Sequence, residues 1–356
     1  MTAEMLDAVV IGAGAAGLAA AYHLQRQGRL FVVLEASQAP SGSWPQYYDS
    51  LTLFTPAKYS SLPGLPFPGP PGHYPSRDEM SEYLRVYAAH HAFPVRTGTR
   101  VLRVRRSEDG FEVQTQCGTL SARTVICASG TFGRPFSPAL PGEAVYQGKR
   151  LHASGYRNAE AFLGQRVIVV GAGNSAAQIA AELSRTATVS LAVRSRPHLV
   201  AQRPLGVDLT DWLSLSGIER VPFGQLFRVP DVQPVIAVPS VRAAFRHHTF
   251  DVRPMFTAFT PAGVRWSDGR EEDVDSVIFA TGYHADMSYL PADALDAEGE
   301  PRQRAGLSRV YPGLAFVGLP GQRTIASGTV RAASSDAEAV VRRLPFGPGE
   351  ANASRP

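Results

Sequence analysis

Two short glycine runs hold the chemistry that this chain's residues are spaced to do. The first reads Val10-Ile11-Gly12-Ala13-Gly14-Ala15-Ala16-Gly17, and the second reads Val169-Val170-Gly171-Ala172-Gly173-Asn174-Ser175-Ala176. In a G-x-G-x-x-G/A run the first glycine makes the tight turn out of a strand. The second lets backbone approach a pyrophosphate, and the third position lets helix and strand pack closely. The phosphates then rest on a helix N-terminus, where free N–H groups and the dipole favour anions. Glu35, 18 positions after Gly17, ends an apolar run and is placed to bind ribose hydroxyls. The apolar run after the second fingerprint ends Ala192-Val193-Arg194-Ser195-Arg196, with no acid at its tip. An acid there would repel a 2′-phosphate, whereas arginine accepts one. The second site is therefore expected to favour NADPH, with Arg194 the better ligand and Arg196 the second. The other reading of both arginines is solvated surface charge. Two dinucleotide sites need two dinucleotides. The common pairing is a flavin with a nicotinamide, hydride passing between them. The acidic strand tip of the first run suits the adenosine ribose of FAD.

The elements that must position these runs are legible around them. Met5–Ile11 reads as a buried strand, Ala15–Gly28 as a helix with a glycine C-cap, and Leu30–Leu34 as a second strand. That is a β-α-β unit. It recurs about 160 residues later as strand Arg166–Val170, helix Asn174–Ser184 and strand Thr188–Val193. Gln38 to Pro75 is rich in Pro, Gly, Ser and aromatics, and reads as a folded excursion over something buried. A helix is predicted over Arg77–His91, with capping-box spacing from Ser76 to Glu79. Strands are predicted over Thr99–Arg106, Phe111–Gln116, Thr124–Ala128, Ser276–Ala280 and Leu314–Gly318. Thr257–Trp266 reads as a hairpin, and Val235–Phe245 and Thr324–Leu344 as helical. The fold class is α/β, with two Rossmann-like dinucleotide-binding units.

Composition bounds the answer. A chain of 356 residues predicts two or three domains. The 33 glycines and 28 prolines stay well below the quarter or so of a chain that marks disorder. The net charge of +4 is scattered, and Lys58 and Lys149 are the only lysines, so no basic stripe points to nucleic acid. Cys117 and Cys127 form no disulfide framework and fit a reducing, cytoplasmic compartment. No apolar run is long enough to span a membrane. His247-His248 lacks neighbouring ligands at metal spacing, so no metal is expected.

Further motifs add specificity. Gly42-Ser43-Trp44 follows the first β-α-β unit. Tyr146-Gln147-Gly148-Lys149-Arg150-Leu151-His152-Ala153-Ser154-Gly155-Tyr156-Arg157 precedes the second fingerprint. Cys127-Ala128-Ser129-Gly130 and Phe279-Ala280-Thr281-Gly282-Tyr283 each follow a predicted strand. With the two fingerprints, these resemble the class B flavin-containing monooxygenases: the G-[ST]-W motif, the F-x-G-x-x-x-H-x-x-x-[YF]-[KR] signature with Tyr146 for Phe, and the A-[ST]-G and A-T-G-[YF] crossings. The Leu-Pro…Pro-Phe-Pro…Tyr-Pro cadence of Leu53–Tyr87 is similar to short bacterial members and to YUCCA-type enzymes. The resemblance covers nearly the whole chain. Two departures matter. Pro56 stands near where animal members carry an Asn that touches substrate, and position 156 is Tyr, which makes Baeyer–Villiger enzymes a poorer match. The membrane anchor of animal members has no counterpart.

The resemblance implies an FAD domain of residues 1–160 and 275–356, with an NADPH domain of 161–274 inserted and an irregular insert at 204–250. It implies that NADPH reduces FAD, that reduced flavin captures O2 as a C4a-hydroperoxide, and that a small sulfide or amine takes the distal oxygen. NADH acceptance and ketone oxygenation are known within such families, and a homodimer is the family-level expectation. Gly12, Gly14, Ala15, Gly17, Glu35, Ala36, Gly42, Trp44, Val101, Ser129 and Gly130 are assigned to FAD. Gly318 and the Ser327-Gly328-Thr329 helix start are assigned to the flavin ring, where N–H groups stabilise reduced flavin. Gly171, Gly173, Asn174, Ser175, Arg194 and Arg196 go to NADPH, and Thr281 and Gly282 to the crossing that closes its domain.

No catalytic triad is expected, because the cofactor does the chemistry. Asn174 is the one side chain offered for a catalytic role, facing the flavin edge; the other reading is an N-cap of its helix. His152 reads more readily as a structural link between domains than as a base. Trp212, Phe223, Phe227 and Phe245 line a substrate channel or, more commonly, fill a core. Two other classes compete: a flavin reductase without oxygen insertion, and a non-enzymatic nucleotide sensor. A disulfide reductase needs a dithiol that Cys117 and Cys127 do not supply.

Overall fold

The structure is a computed structural model and describes residues 5–222 and 234–347. Phe223 and Phe227 lie outside the described residues. Strand β1 (Leu6–Ile11) buries its last four residues, as a strand covered on both faces must. Its alternate side chains split between two cores. Ala8 and Val10 face helices, while Val9 and Ile11 face the opposite cluster with Leu34, Val113 and Phe316. Helix α1 (Ala15–Arg26) ends at a C-cap Gln27, and Gly28 follows at φ +64, the left-handed position that closes a helix. β2 (Phe31–Leu34) pairs parallel with β1.

Helix α2 (Arg77–His90) starts at the expected capping box. Ser76 Oγ accepts from the Glu79 N–H at 3.2 Å, and Glu79 Oε2 accepts from the Ser76 N–H at 2.7 Å. Tyrosines of α2 explain why the excursion is ordered: Tyr83 donates to the Leu65 carbonyl and Tyr87 to that of Pro63, both at 2.7 Å. β3 (Val95–Arg96), β4 (Val101–Arg106), β5 (Phe111–Thr115) and β6 (Gly118–Cys127) follow. β6 is longer than the predicted Thr124–Ala128. Its first half pairs antiparallel with β5 and is partly exposed, so it lacks the continuous apolar run of its buried second half.

β7 (Arg134–Pro135) leads to β8 (Lys149–His152), β9 (Arg166–Val170), helix α3 (Asn174–Leu183) and β10 (Thr188–Val193). β11 (Leu199–Ala201), helix α4 (Leu209–Ser216), β12 (Val235–Ala237), helix α5 (Pro239–Arg246) and β13 (Asp251–Pro254) come next. The helix expected over Val235–Phe245 is thus split. Val238, before Pro239, is extended at ψ 158, because a residue preceding proline is pushed out of the helical region. The expected hairpin is present as β14 (Ala258–Phe259) and β15 (Gly263–Arg265), joined by β16 (Glu271–Asp273).

β17 (Ser276–Phe279) precedes β18 (Tyr283–His284), β19 (Gln303–Arg304), β20 (Leu307–Ser308), β21 (Leu314–Phe316) and helix α6 (Val330–Val341). α6 starts later than the apolar spacing from Thr324 implied. Ser327 Oγ accepts from the Thr324 N–H at 2.9 Å and Gly328 sits at φ +87, which makes a turn there.

Two sheets result. The first has order β19-β20-β21-β6-β1-β2-β3, with the β4–β5 hairpin on β6. The second is parallel, in order β13-β10-β9-β17-β8. The first sheet is built from both ends of the chain and the second from its middle. The pairing carries the second sheet beyond the expected limits of 161 and 274, since β8 and β17 belong to it. The chain crosses between the sheets on β7 and β18, which pair antiparallel.

Candidate functional site

The expected FAD residues converge at the C-terminal ends of parallel strands β2, β1, β6 and β21, the edge where open α/β sheets bind ligands. Gly12 has φ +105, and a Cβ there would lie 2.5 Å from the Ala128 carbonyl oxygen. A Cβ on Gly17 would overlap the Gly12 carbonyl itself. The turn therefore folds tightly under α1. Gly14 is the N-cap of α1, with no side-chain cap and no acid in the first turn, and Ala15 is the first helical residue. The helix end is bare and fits an anionic pyrophosphate. Gly42 brings its loop against this turn: a Cβ on it would come 2.9 Å from Gly14 Cα.

Glu35 is buried at the tip of β2. Its Oε2 accepts from the Ala13 N–H at 2.7 Å and its Oε1 from the Ser37 N–H at 2.8 Å. The carboxylate thus braces the glycine turn, and each oxygen keeps a lone pair for a ribose hydroxyl. Ala36 is exposed beside it. The Thr99 N–H donates to the Glu35 carbonyl at 2.8 Å, which brings Val101, the start of β4, to this tip. Ser129 and Gly130 leave β6 next to Gly12, and Ser129 Oγ lies 2.9 Å from the Tyr289 hydroxyl. Gly318, at φ +85, packs on α1, since a Cβ there would be 2.8 Å from Ala16 Cβ. Ser327 is buried in the turn before α6.

The second turn repeats the first. Gly171 has φ +138, and its Cβ would overlap the Ala280 carbonyl, as that of Gly12 meets Ala128. Gly173 is the N-cap of α3, again without a side-chain cap or first-turn acid. Ser175 lies in the first turn, and burial holds the nearby Tyr48 hydroxyl protonated, well above its ordinary range. Asn174 is not the N-cap, because Gly173 occupies that position. Its Oδ1 accepts from the Ile236 N–H at 2.9 Å and its Nδ2 donates to the Pro234 carbonyl at 3.4 Å. The amide ties β12 to α3, and this use was hidden in the sequence by a separation of 62 positions.

Arg194 and Arg196 stand exposed just past β10, and neither forms an ion pair among the described residues. Beside them opens a cleft of about 440 Å3, lined by Arg196, Phe245, His248, Phe250, Asp251 and Val252. Asp251 is itself paired with Arg253 at 3.1 Å. Phe245 also packs edge-to-face on Phe250, 5.0 Å away, so it serves both the core and the cleft. Trp212 is exposed on α4.

His152 ends β8. The Ser154 N–H donates to Nδ1 at 3.1 Å, so the neutral ring carries its proton on Nε2 and donates it to the Gly282 carbonyl at 3.0 Å. Thr281 Oγ1 donates to the Phe136 carbonyl on the neighbouring crossing. Both ring nitrogens are thus used by backbone, which makes His152 a structural link. Burial holds its pKa below the ordinary 6.5. The unfolded chain then binds more protons than the fold just below that pH, so stability falls as pH drops through 6.5 toward the lowered value. We expect His152→Gln to show a shallower loss of melting temperature over this window than the unsubstituted protein. Parallel curves would contradict it. His23 and His91 shift the same way by burial but cancel in this comparison.

A chain of rings connects the two sheets, and of its members Tyr47 and Phe132 had no role in the sequence reading. Trp44 meets Tyr47 at 5.7 Å, Tyr47 meets Phe132 at 5.5 Å, Phe132 meets Tyr283 at 5.1 Å and Tyr283 meets His152 at 4.7 Å, all edge to face. Nothing in local spacing announces this chain, because its members come from four separate segments. Among the described residues no group of three or more His, Cys, Asp or Glu gathers as a metal site, and no helix is long and apolar enough to cross a membrane.

Residues 9–222 match the family described as pyridine nucleotide-disulphide oxidoreductase. A solved structure of a flavin-containing monooxygenase from Stenotrophomonas maltophilia superposes with a TM-score of 0.85 at 32% identity, covering 95% of this chain and 98% of that one. This chain is a flavin-containing monooxygenase of that family. A curated relative, indole-3-pyruvate monooxygenase YUCCA1 of Oryza sativa subsp. japonica, is 32% identical over 85% of this chain and 82% of its own. The bacillithiol disulfide reductase Bdr of Staphylococcus aureus shares the fold at TM-score 0.72 and 19% identity, over 95% and 98% of the chains. The monooxygenase is therefore an oxidoreductase whose architecture is also used by reductases.

Proposed function

We propose that this monooxygenase holds FAD at the first glycine turn and NADPH at the second, and oxygenates small soft nucleophiles such as sulfides and amines. The observation that carries this reading is the duplicated turn. Two bare helix N-termini sit under Gly12 and Gly171, with a buried acid at one strand tip and two unpaired exposed arginines at the other. Acid and arginine sort the two dinucleotides by their ribose chemistry. The cleft beside Arg196 is suited to the adenosine end of NADPH. Held by Gly12, Gly14, Gly17 and Glu35, FAD would supply the oxygen-transfer chemistry. The chain's own part is to orient both cofactors and keep water from them, through the ring chain from Trp44 to His152 and the 38–75 excursion.

A reductase passing electrons to a disulfide is disfavoured by the cysteines. Cys117 is exposed just before β6 and Cys127 is buried at its far end. At about 3.3 Å per residue the two thiols lie roughly 30 Å apart and cannot form a redox pair. Rapid mixing of NADPH-reduced holoenzyme with O2 tests the reading. A transient oxygenated-flavin spectrum, shortened by an added thioether, is expected. Direct return to oxidised flavin with release of H2O2, thioether or not, would refute it.

The coenzyme preference has its own test. Arg194→Ala is expected to raise the KM for NADPH by about tenfold or more, from the loss of a charge-assisted phosphate contact. The KM for NADH should change less than about twofold. Equal effects on both coenzymes would remove the 2′-phosphate role.

A further inference from the structure

A seam of polar side chains joins three walls: the 38–75 excursion, the insert around α4, and the start of α6. In it Tyr74 donates to Asp208 Oδ2 at 2.5 Å, and the Thr210 N–H donates to Asp208 Oδ1 at 2.7 Å. Asp211 Oδ1 receives both Tyr59, at 2.7 Å, and Lys58, at 2.5 Å. Gln202 Nε2 donates to the Phe54 carbonyl at 3.4 Å. These groups satisfy one another. Arg331, the second residue of α6, does not fit that pattern. Its side chain is 14% exposed and Glu219, on the insert, is 15% exposed. Nη2 of Arg331 lies against Oε1 of Glu219 as an ion pair, but Nε of Arg331 and Oε1 of Glu219 are both buried with no hydrogen-bond partner among the described residues.

A guanidinium presents Nε and one Nη as a fork that matches the two oxygens of a carboxylate. Here Nε has no partner, and Nη2 meets the carboxylate only as an ion-pair contact. A buried donor left without a partner is costly, more so on a charged group. Burial raises the pKa of Glu219 and lowers that of Arg331, so the pair offsets its desolvation only in part. Phe54 and Ile325, on two of the same walls, are exposed apolar side chains.

We propose that Arg331 receives the carboxylate of the substrate, so that this monooxygenase favours a soft nucleophile whose short apolar body ends in a carboxylate. Glu219 holds the guanidinium in place until that carboxylate arrives and then shares it. The inference rests on the oxygenating reading proposed above, and it adds a substrate class to that reading.

The test compares 3-(methylthio)propanoate with its neutral analogue 3-(methylthio)propan-1-ol on the holoenzyme. The acid should show a KM about tenfold or more below that of the alcohol, the gain of one charge-assisted fork. Arg331→Gln should erase that difference by raising the KM of the acid alone. Glu219→Gln, which removes the internal competitor and keeps a polar partner, should lower the KM of the acid. Equal KM values in the unsubstituted enzyme, or a parallel rise for both thioethers in Arg331→Gln, would overturn the proposal. Where Arg331→Gln fails to fold, Glu219→Gln decides: an unchanged acid-to-alcohol ratio overturns it. If neither thioether is oxygenated, the functional reading falls. Calorimetric titration with the same acid and alcohol still reads the Arg331 site, and equal heats would overturn the proposal.

Discussion

Gly17→Ala is expected to purify without flavin. The added Cβ would occupy the space of the Gly12 carbonyl oxygen, and it also meets Ala128 Cβ at 3.3 Å. Neither obstacle is the movable end of a flexible side chain. One is backbone in a turn that Glu35 braces from the other side, through the Ala13 N–H. Relief requires α1 to move off β1, and overpacking of this kind costs about 1–3 kcal/mol or more. The displaced helix carries the bare N–H groups expected to hold the pyrophosphate, so that distortion should weaken FAD binding by roughly 5- to 150-fold. Losing a ligand bound only by the native state lowers apparent stability further. The flavin-to-protein ratio from absorbance and the melting temperature check this. A yellow variant with full flavin and unchanged melting would contradict the assignment of the first turn.

Gly171→Ala is expected to do the opposite: keep its flavin and lose reduction by NADPH. The Cβ would overlap the Ala280 carbonyl, as that of Gly17 overlaps Gly12, and here φ +138 is also unfavourable for an L side chain. The turn lies in the other sheet, between β9 and α3, whereas Gly12 and Glu35 follow strands β1 and β2 of the first sheet. Stopped-flow reduction by NADPH should slow by about 100-fold, the result of roughly 2.7 kcal/mol lost at the site. Reduction by dithionite, which needs no nucleotide site, should be unchanged. Loss of flavin in this variant, or normal reduction by NADPH, would show that the two turns do not divide the cofactors as proposed.

The two turns were legible because their demands are local. The clash of a Gly17 Cβ with the Gly12 carbonyl lies within the fingerprint itself, and spacing alone records it, although the Ala128 and Ala280 carbonyls that Gly12 and Gly171 meet come from distant strands. The capping box at Ser76 and Glu79 is local in the same way. What was not legible came from distant partners. β8, Lys149–His152, has no apolar run to announce a strand, and the apolar run of β17 carries no mark of which sheet it joins, so the motif boundaries put both with the first sheet. Pro239 marked a break that helical spacing around Val235 concealed. Asn174 carried two plausible local roles, and a contact with β12 took its amide. Arg331 and Glu219 are 112 positions apart, and neither stood out among 66 charged residues.

The central claim is that oxygen from O2 reaches an external nucleophile. The direct measurement supplies the holoenzyme with NADPH, isotopically labelled O2 and methyl phenyl sulfide, and follows both atoms. Oxygenation consumes one NADPH, one proton and one O2, places one labelled atom in the sulfoxide and releases the other as water. The account predicts one labelled sulfoxide for each NADPH oxidised, less any uncoupled H2O2. NADPH oxidation matched mole for mole by H2O2, with no label in the sulfide product, would contradict it.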